Sequence, residues 1–248
     1  MPRFFIDTSQ ISGSSLSVLG EDARHIARSL RMAVGDSITV ATPDGTEHVC
    51  TLTKIRDERC DADIISSSPS AAEPRSRITL FMAYPKSDKL ETVIQKAVEL
   101  GASKIIPFES SRCIKKPDAA KAEARTERLS RIATEAAKQC GRGILPSVGA
   151  PIGYNAMLRA ANETDEVIFC YEGSGTRSLK AILSEMQSAP ASISVIVGCE
   201  GGFSPEEAAA AQDAGMKMAN LGPRILRCET APAYVLSAIS YHFELSNG

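Results

Sequence analysis

No Cys-x-x-Cys and no Gly-Lys pair occurs in this chain, and its three histidines stand far apart, at positions 25, 48 and 242. The seven cysteines (50, 60, 113, 140, 170, 199, 228) are odd in number and scattered. That distribution excludes a disulfide frame or paired-cysteine zinc site and reads as reduced thiols in a cytoplasmic protein. Histidines so spaced offer no metal-ligand pattern, so no metal is expected. Without Gly-Lys there is no nucleotide P-loop, whose signature is G-x-x-x-x-G-K-[ST]. No apolar run reaches the ~18 residues of a membrane span. A cationic, apolar leader is also missing, so neither membrane nor signal peptide is expected. Charge of one sign is lacking too: the formal net charge of −2 argues against blanket electrostatic binding to nucleic acid. There is no internal repeat.

What is present is an average soluble composition, 43% hydrophobic and 23% charged, over 248 residues. That length is ample for one large or two modest domains. Residues 1–68 are strand-rich. Ser37–Thr42 and Thr46–Ile55 alternate on either side of Pro43-Asp44-Gly45, a turn flanked by strand-formers, and Cys60–Ser66 adds another strand. One helix is expected from Glu21 to Met32, with Arg24, Arg28 and Arg31 sharing a face. Short strands with one helix predict a small barrel. "SSSPSAAEPRS" (66–76) is polar, contains proline and lacks periodicity, so a linker is expected there.

Beyond it strands and helices alternate. Strands are predicted at Ile78–Ala83, Lys104–Phe108, Glu166–Tyr171, Ser192–Val197 and Lys217–Leu221. Helices are predicted at Lys89–Leu100, Ala119–Cys140, Tyr154–Ala161, Leu179–Met186, Pro205–Ala214 and Ala231–Leu245. This is the pattern of an α/β protein with a parallel sheet buried on both faces. Apolar residues occur all round Ala231–Leu245, which predicts a helix buried on most sides. Residues 112–142 hold nine Lys/Arg against four acids, partly a solvated helix face and partly a candidate phosphate contact.

Ligands of such sheets bind beyond the carboxyl ends of the strands. Three loops fall there: Glu172-Gly173-Ser174-Gly175, Gly198–Phe203 and Leu221–Arg227. The second belongs to "VGCEGGFSPEE" (197–207), where an apolar strand enters a glycine-rich turn that opens a helix. Ser204, Pro205 and Glu207 form a capping box with proline at the first helical position. Glu200 within that turn would repel phosphate oxygens at short range. Glycines let a ligand approach the backbone, and a carboxylate favours a cationic, hydroxyl-rich ligand. S-adenosylmethionine, with a sulfonium and a ribose diol, is such a ligand. The residues alone leave a second reading open: the glycines merely turn the chain, and Glu200 pairs with an arginine.

Together with "LGPRILRCETAPAYVLSAISYHFEL" (221–245), that motif closely resembles the RsmE family of 16S rRNA (uracil-N3)-methyltransferases, in the SPOUT superfamily. The resemblance extends to the "MPRFF" start, "HIARSLRMAVGD" (25–36), "KSDKLETVIQKAVELGASKIIPFESSRC" (86–113) and "RIATEAAKQCGR" (131–142). The chain departs from the family at Cys199, where proline is usual, and at Cys228, where threonine is usual. The resemblance implies a PUA-like RNA-binding β-barrel over 1–70. It implies a SPOUT methyltransferase domain over 75–248, with a parallel sheet and a C-terminal trefoil knot, in a homodimer.

It also implies S-adenosylmethionine as cofactor, held by Glu172, Gly198, Glu200, Gly201, Gly202, Leu221, Gly222, Ile225 and Leu226. Glu200, Arg224 and Arg227 are the expected catalytic residues: Glu200 to position the cofactor or accept a proton, the arginines to stabilise charge on uracil oxygens. An Arg–Glu lock with Glu200 or Glu229 is the structural alternative for those arginines. Arg3, Arg24, Arg28, Arg31, Lys86, Arg112 and Arg142 are the expected contacts to 16S rRNA, in the assembled small ribosomal subunit. Two other classes compete, a non-catalytic RNA- or ribosome-binding module and a nucleotide-dependent oxidoreductase.

Overall fold

The computed structural model of the protein describes residues 1–86, 89–114 and 119–245. Its chain divides into two compact units. The first comprises Met1–Glu73 with Ala137–Leu145; the second comprises Pro74–Ala136 and the chain from Pro146 onward.

The first unit is a six-stranded curled sheet, in the order Arg3–Phe5, Ser37–Ala41, Thr46–Ile55, Arg59–Pro69, Ser15–Leu19, Ile11–Ser12. The hairpin at Pro43-Asp44-Gly45 forms because Gly45 takes φ +80° and Asp44 accepts from both the Thr42 hydroxyl and the Thr46 N–H. Inward-facing Phe4, Leu16, Val18, Ile38, Val40 and Leu52 make the core, closed by Ile26.

Two expectations are corrected here. The spacer predicted at 66–76 starts too early, although the boundary between the two units, at Glu73 and Pro74, does fall within it. Ser66, Ser67 and Ser68 pair with Val49, His48 and Glu47, and the strand runs on to Pro69. Its side chains from Ile65 onward are exposed, so it left no hydrophobic alternation in the sequence. Downstream, Ser76 is buried with its hydroxyl on the Pro190 carbonyl at 2.6 Å. The helix predicted over Glu21–Met32 is instead an α-turn, Gly20–Arg24, followed by a π-helical turn, His25–Ser29. Arg31 lies outside both at φ +50°, so the three arginines do not share one helix face.

The second unit holds an all-parallel sheet. Its five longer strands lie in the order Ala102–Glu109, Arg77–Ala83, Ser192–Val197, Glu166–Cys170, Lys217–Asn220. Every residue of Ser192–Val197 after the first is buried, as a central strand covered on both faces requires. Helices Lys89–Glu99, Tyr154–Ala161, Pro205–Asp213 and Thr230–Ser240 connect or cover these strands. Thr230–Ser240 follows Lys217–Asn220 and packs on Lys89–Glu99 and Ser192–Val197.

Within the single chain, that last helix is buried on one side. Val235, Leu236 and Ile239 are inside, but Tyr234 is exposed, as are Tyr241 and Leu245 in the π-turn that follows. Their spacing of seven and four residues puts these three on one face.

Candidate active site

The Ser192–Val197 strand ends in a tight turn, Cys199-Glu200-Gly201-Gly202, closed by the Gly202 N–H on the Cys199 carbonyl at 2.9 Å. Gly202 has φ +63°, and a Cβ there would lie 2.6 Å from Glu172 Oε1. Glycine is therefore required twice, by the backbone and by the carboxylate lying over it. Phe203 is buried among Phe108, Tyr154 and Phe169 and anchors the far side of the turn. The helix that follows starts as the sequence dictates. Ser204 accepts from the Glu207 N–H, and Glu207 Oε2 accepts from the Ser204 N–H.

Three adjacent parallel strands end at one cavity of about 510 Å³. Glu172 enters from the loop after Glu166–Cys170, and Gly198, Glu200 and Gly202 from the loop after Ser192–Val197. Leu221, Gly222, Arg224, Ile225, Leu226 and Arg227 come from the loop after Lys217–Asn220. Gly201 does not line the cavity: it faces away, and a Cβ on it would sit 3.0 Å from Arg112 Cβ. Arg112 fixes the turn from outside by donating Nη1 to the Gly201 carbonyl at 3.0 Å. Cys199 is buried and shares the Ser110 hydroxyl with Cys113 (4.0 and 3.3 Å), so it fills the loop as a small apolar residue.

The electrostatics depart from expectation. Neither Arg224 nor Arg227 bridges the carboxylates; both are exposed on the rim. The cation between them is Lys89, whose Nζ lies 3.1 Å from Glu200 and 3.2 Å from Glu229. Sequence reasoning missed Lys89 because no local spacing links position 89 to 200 or 229. Its only trace was membership of the 86–113 segment.

The Lys86 backbone N–H also donates to Glu200, at 3.2 and 3.3 Å. Burial pushes the Glu200 carboxyl up, but its own N–H, the Lys89 ammonium and the Lys86 N–H outweigh this and hold it below the usual carboxylate range. Those contacts favour the charged carboxylate, the form in which Glu200 would position a cationic cofactor or accept a proton.

The candidate RNA contacts separate into three groups. Arg3 binds Glu47 and the Arg142 carbonyl. Arg142 is 3% exposed and forks onto Glu73 at 2.9 and 2.7 Å. Both guanidinium groups are therefore held inside the first unit, Arg142 buried and Arg3 half-buried. Arg24 and Arg28 are exposed, paired with Glu58 and Asp57. Arg31, Lys86 and Arg112 are exposed as well.

A parallel sheet with a glycine-lined, carboxylate-bearing cavity, in a chain whose other unit is a curled sheet with exposed arginines, is the arrangement of an RNA-modifying enzyme. The chain belongs to the RNA methyltransferases: residues 72–240 match the RNA methyltransferase domain, and residues 18–65 match the RNA methyltransferase PUA domain. Within that class it is a member of the ribosomal RNA small subunit methyltransferase E family, the RsmE family. It is 35% identical to the Bacillus subtilis protein of that name over 255 aligned residues, covering 100% of this chain and 99% of the relative. The Mycobacterium bovis protein of the same name is 27% identical, with 95% and 90% covered. The solved Neisseria gonorrhoeae ribosomal RNA small subunit methyltransferase E, bound to S-adenosyl methionine, superposes with TM-score 0.85 at 30% identity, covering 98% of both chains. A Legionella pneumophila methyltransferase, in complex with the same cofactor, gives TM-score 0.83 at 27% identity, with 96% of both covered. Membership of a methyltransferase family overturns the oxidoreductase and the non-catalytic binding module.

Proposed function

We propose that the protein methylates N3 of one uridine in 16S rRNA within the small ribosomal subunit, with S-adenosylmethionine as donor. The observation that carries this is the cavity at the ends of three parallel strands, walled by glycine turns and by Glu172 and Glu200. Gly198, Gly202, Leu221, Gly222, Ile225 and Leu226 present backbone to adenine and ribose, and the two carboxylates face the cofactor's cationic groups. Transfer is an in-line displacement: the N3 lone pair forms the bond to the methyl carbon as the carbon–sulfur bond breaks. S-adenosylhomocysteine leaves neutral at sulfur, and the N3 proton goes to solvent. The protein supplies alignment and charge placement. Arg224 and Arg227, on the rim, stabilise negative charge on the uracil oxygens. No metal takes part in these steps.

The reading places the enzyme in the cytoplasm, where reduced thiols such as its seven scattered cysteines are at home; no described helix is long and apolar enough to cross a membrane. The test is incubation with the cofactor and unmethylated small subunits, followed by reverse transcription. A methyl on N3 blocks base pairing and stops the polymerase, so a single new stop at a uridine is expected; none at any uridine would refute the reading.

The return of Thr230–Ser240 to the central strand, after the Leu221–Arg227 loop, supports a trefoil knot at this end of the sheet. The exposed Tyr234, Tyr241 and Leu245 support a homodimer through this helix. Light scattering at micromolar concentration should give twice the chain mass, and Tyr241→Glu with Leu245→Glu should halve it. A monomer mass for the wild type sinks the dimer.

The curled sheet reads RNA through Arg24, Arg28 and Arg31. The exposed pairs of Arg24 and Arg28 contribute little to stability, so phosphates can replace Glu58 and Asp57 at little cost. Replacing all three by alanine should weaken subunit binding and flatten its salt dependence, by about 0.9 in log–log slope per lost contact. Cofactor affinity should not change. A short stem-loop methylated as well as the subunit, with the triple variant fully active on subunits, would show that these arginines play no part.

A further inference from the structure

Lys89 opens the Lys89–Glu99 helix and donates to carboxylates from two separate loops. Glu200 belongs to the Cys199–Gly202 turn, and Glu229 is the N-cap of Thr230–Ser240. The ammonium also lies 3.9 Å from Cys228 Sγ. The three charged side chains are only 30%, 28% and 26% exposed, so this is a partly enclosed triad, of which Lys89 and Glu200 line the cavity, not a surface pair.

Two carboxylate oxygens within hydrogen-bonding reach of one nitrogen are themselves close neighbours. Removing the cation would leave two like charges facing each other, which favours protonation of one and frees both side chains to turn away. Lys89 is also the tie that joins the two glycine loops to one rigid helix. A hydrogen-bonded lysine on a helix end holds such loops more firmly than the loops hold themselves.

We propose that Lys89 is a positioning residue of the methyl-transfer site: its ammonium ties Glu200, on the cavity wall, to Glu229 and so aims Glu200 at the cofactor. This rests on the reading that Glu200 meets S-adenosylmethionine. Glu172 after Glu166–Cys170, Arg224 and Arg227 after Lys217–Asn220, and the Cys228 thiol beside Glu229 line the same space, and the Lys86 N–H after Arg77–Ala83 reaches Glu200. Of these, only Lys86 and Cys228 bond to the triad in the described structure: the Lys86 N–H to Glu200, and the Cys228 thiol to Glu229 at 3.2 Å. Lys89 remains the charge that binds both carboxylates. Consistent with this, hydrogen bonds to Glu200 and Glu229 push the Lys89 ammonium up, so it stays charged across the neutral range.

The experiment compares Lys89→Met, Lys89→Arg and Lys96→Met. Lys96 lies on the same helix and pairs with Glu99. Calorimetry gives cofactor affinity, and the pH dependence of kcat/KM is measured on small subunits. Lys89→Met is expected to weaken cofactor binding about tenfold or more, the scale of losing a hydrogen bond to a charged group. The loss should appear in KM for the cofactor more than in kcat. The acid limb of kcat/KM should move to higher pH, because a carboxylate relieved of its cation protonates earlier. Lys89→Arg should restore most of the affinity and the original limb, and Lys96→Met should change neither. A folded Lys89→Met with wild-type affinity and acid limb overturns the proposal. So does a loss that arginine fails to rescue and that leaves the limb in place, which would mark a packing role. Glu200→Gln binding cofactor like the wild type would instead remove the underlying reading of the cavity, and the proposal with it.

Discussion

Gly222→Val is expected to weaken S-adenosylmethionine binding at least about a hundredfold, roughly 2.7 kcal/mol, while the chain stays folded. Gly222 lines the cavity, has φ +102°, and has no heavy atom within 4 Å of where a Cβ would stand. A side chain there meets no protein atom, so it projects into the space the cofactor needs. The backbone conformation also disfavours an L-residue, which displaces the loop by strain. Gly215→Val separates the two effects, because Gly215 has φ +81°, is equally open, and lies after the Pro205–Asp213 helix away from the cavity. It should cost stability without affinity. Gly201→Val should also abolish binding, but by a different route: its Cβ presses on Arg112 Cβ at 3.0 Å and on the Arg112 carbonyl at 3.3 Å, distorting the turn. Calorimetry with the folded variants is the check. Wild-type affinity in Gly222→Val would place the cofactor elsewhere.

Arg142→Met should destabilise the first unit by about 3–5 kcal/mol, the range for leaving one member of a buried ion pair alone. Glu73 Oε1 also accepts the Gly143 and Ile144 N–H groups at 2.8 and 3.1 Å, so the carboxylate cannot swing out to water without breaking both. Combining Arg142→Met with Glu73→Gln should recover part of the loss, since the amide keeps an acceptor without a charge. The pair also sets an acid limit. Burial pushes the Glu73 carboxyl up, but Arg142 and the two N–H groups prevail and hold it below the usual carboxylate range. A group depressed in the folded state stabilises above its unfolded pKa of about 4.5 and loses that contribution as pH falls through the folded value. The wild type should therefore lose stability relative to the double variant only at pH below about 4.5. Urea unfolding across pH, read as midpoint shifts, measures both effects; an Arg142→Met midpoint within error of wild type would mean that the pair contributes nothing.

How much was legible in the residues follows from how local each feature is. The capping box at Ser204 and Glu207, the hairpin at Asp44-Gly45 and the central strand Ser192–Val197 each depend on neighbours within a few positions. The glycine turn was legible for the same reason, as was its anion, Glu200. The π-turn at His25–Ser29 was not, because its apolar spacing passes for an ordinary helix and only the positive φ of Arg31 ends it. The strand through Ser66–Pro69 was hidden because a solvated strand pairs by its backbone and leaves no pattern in its side chains.

By itself the sequence determined the class of fold, the family, the cofactor chemistry and the loops that line the cavity, because those reside in contiguous motifs with fixed backbone demands. Tertiary structure alone decided which charges meet. It gave Glu200 and Glu229 to Lys89 and not to Arg224 or Arg227, turned Arg3 and Arg142 inward, and left Arg24, Arg28 and Arg31 outside. Salt bridges join residues more than a hundred positions apart here, and their partners are chosen by strand order and helix packing, which no spacing along the chain records.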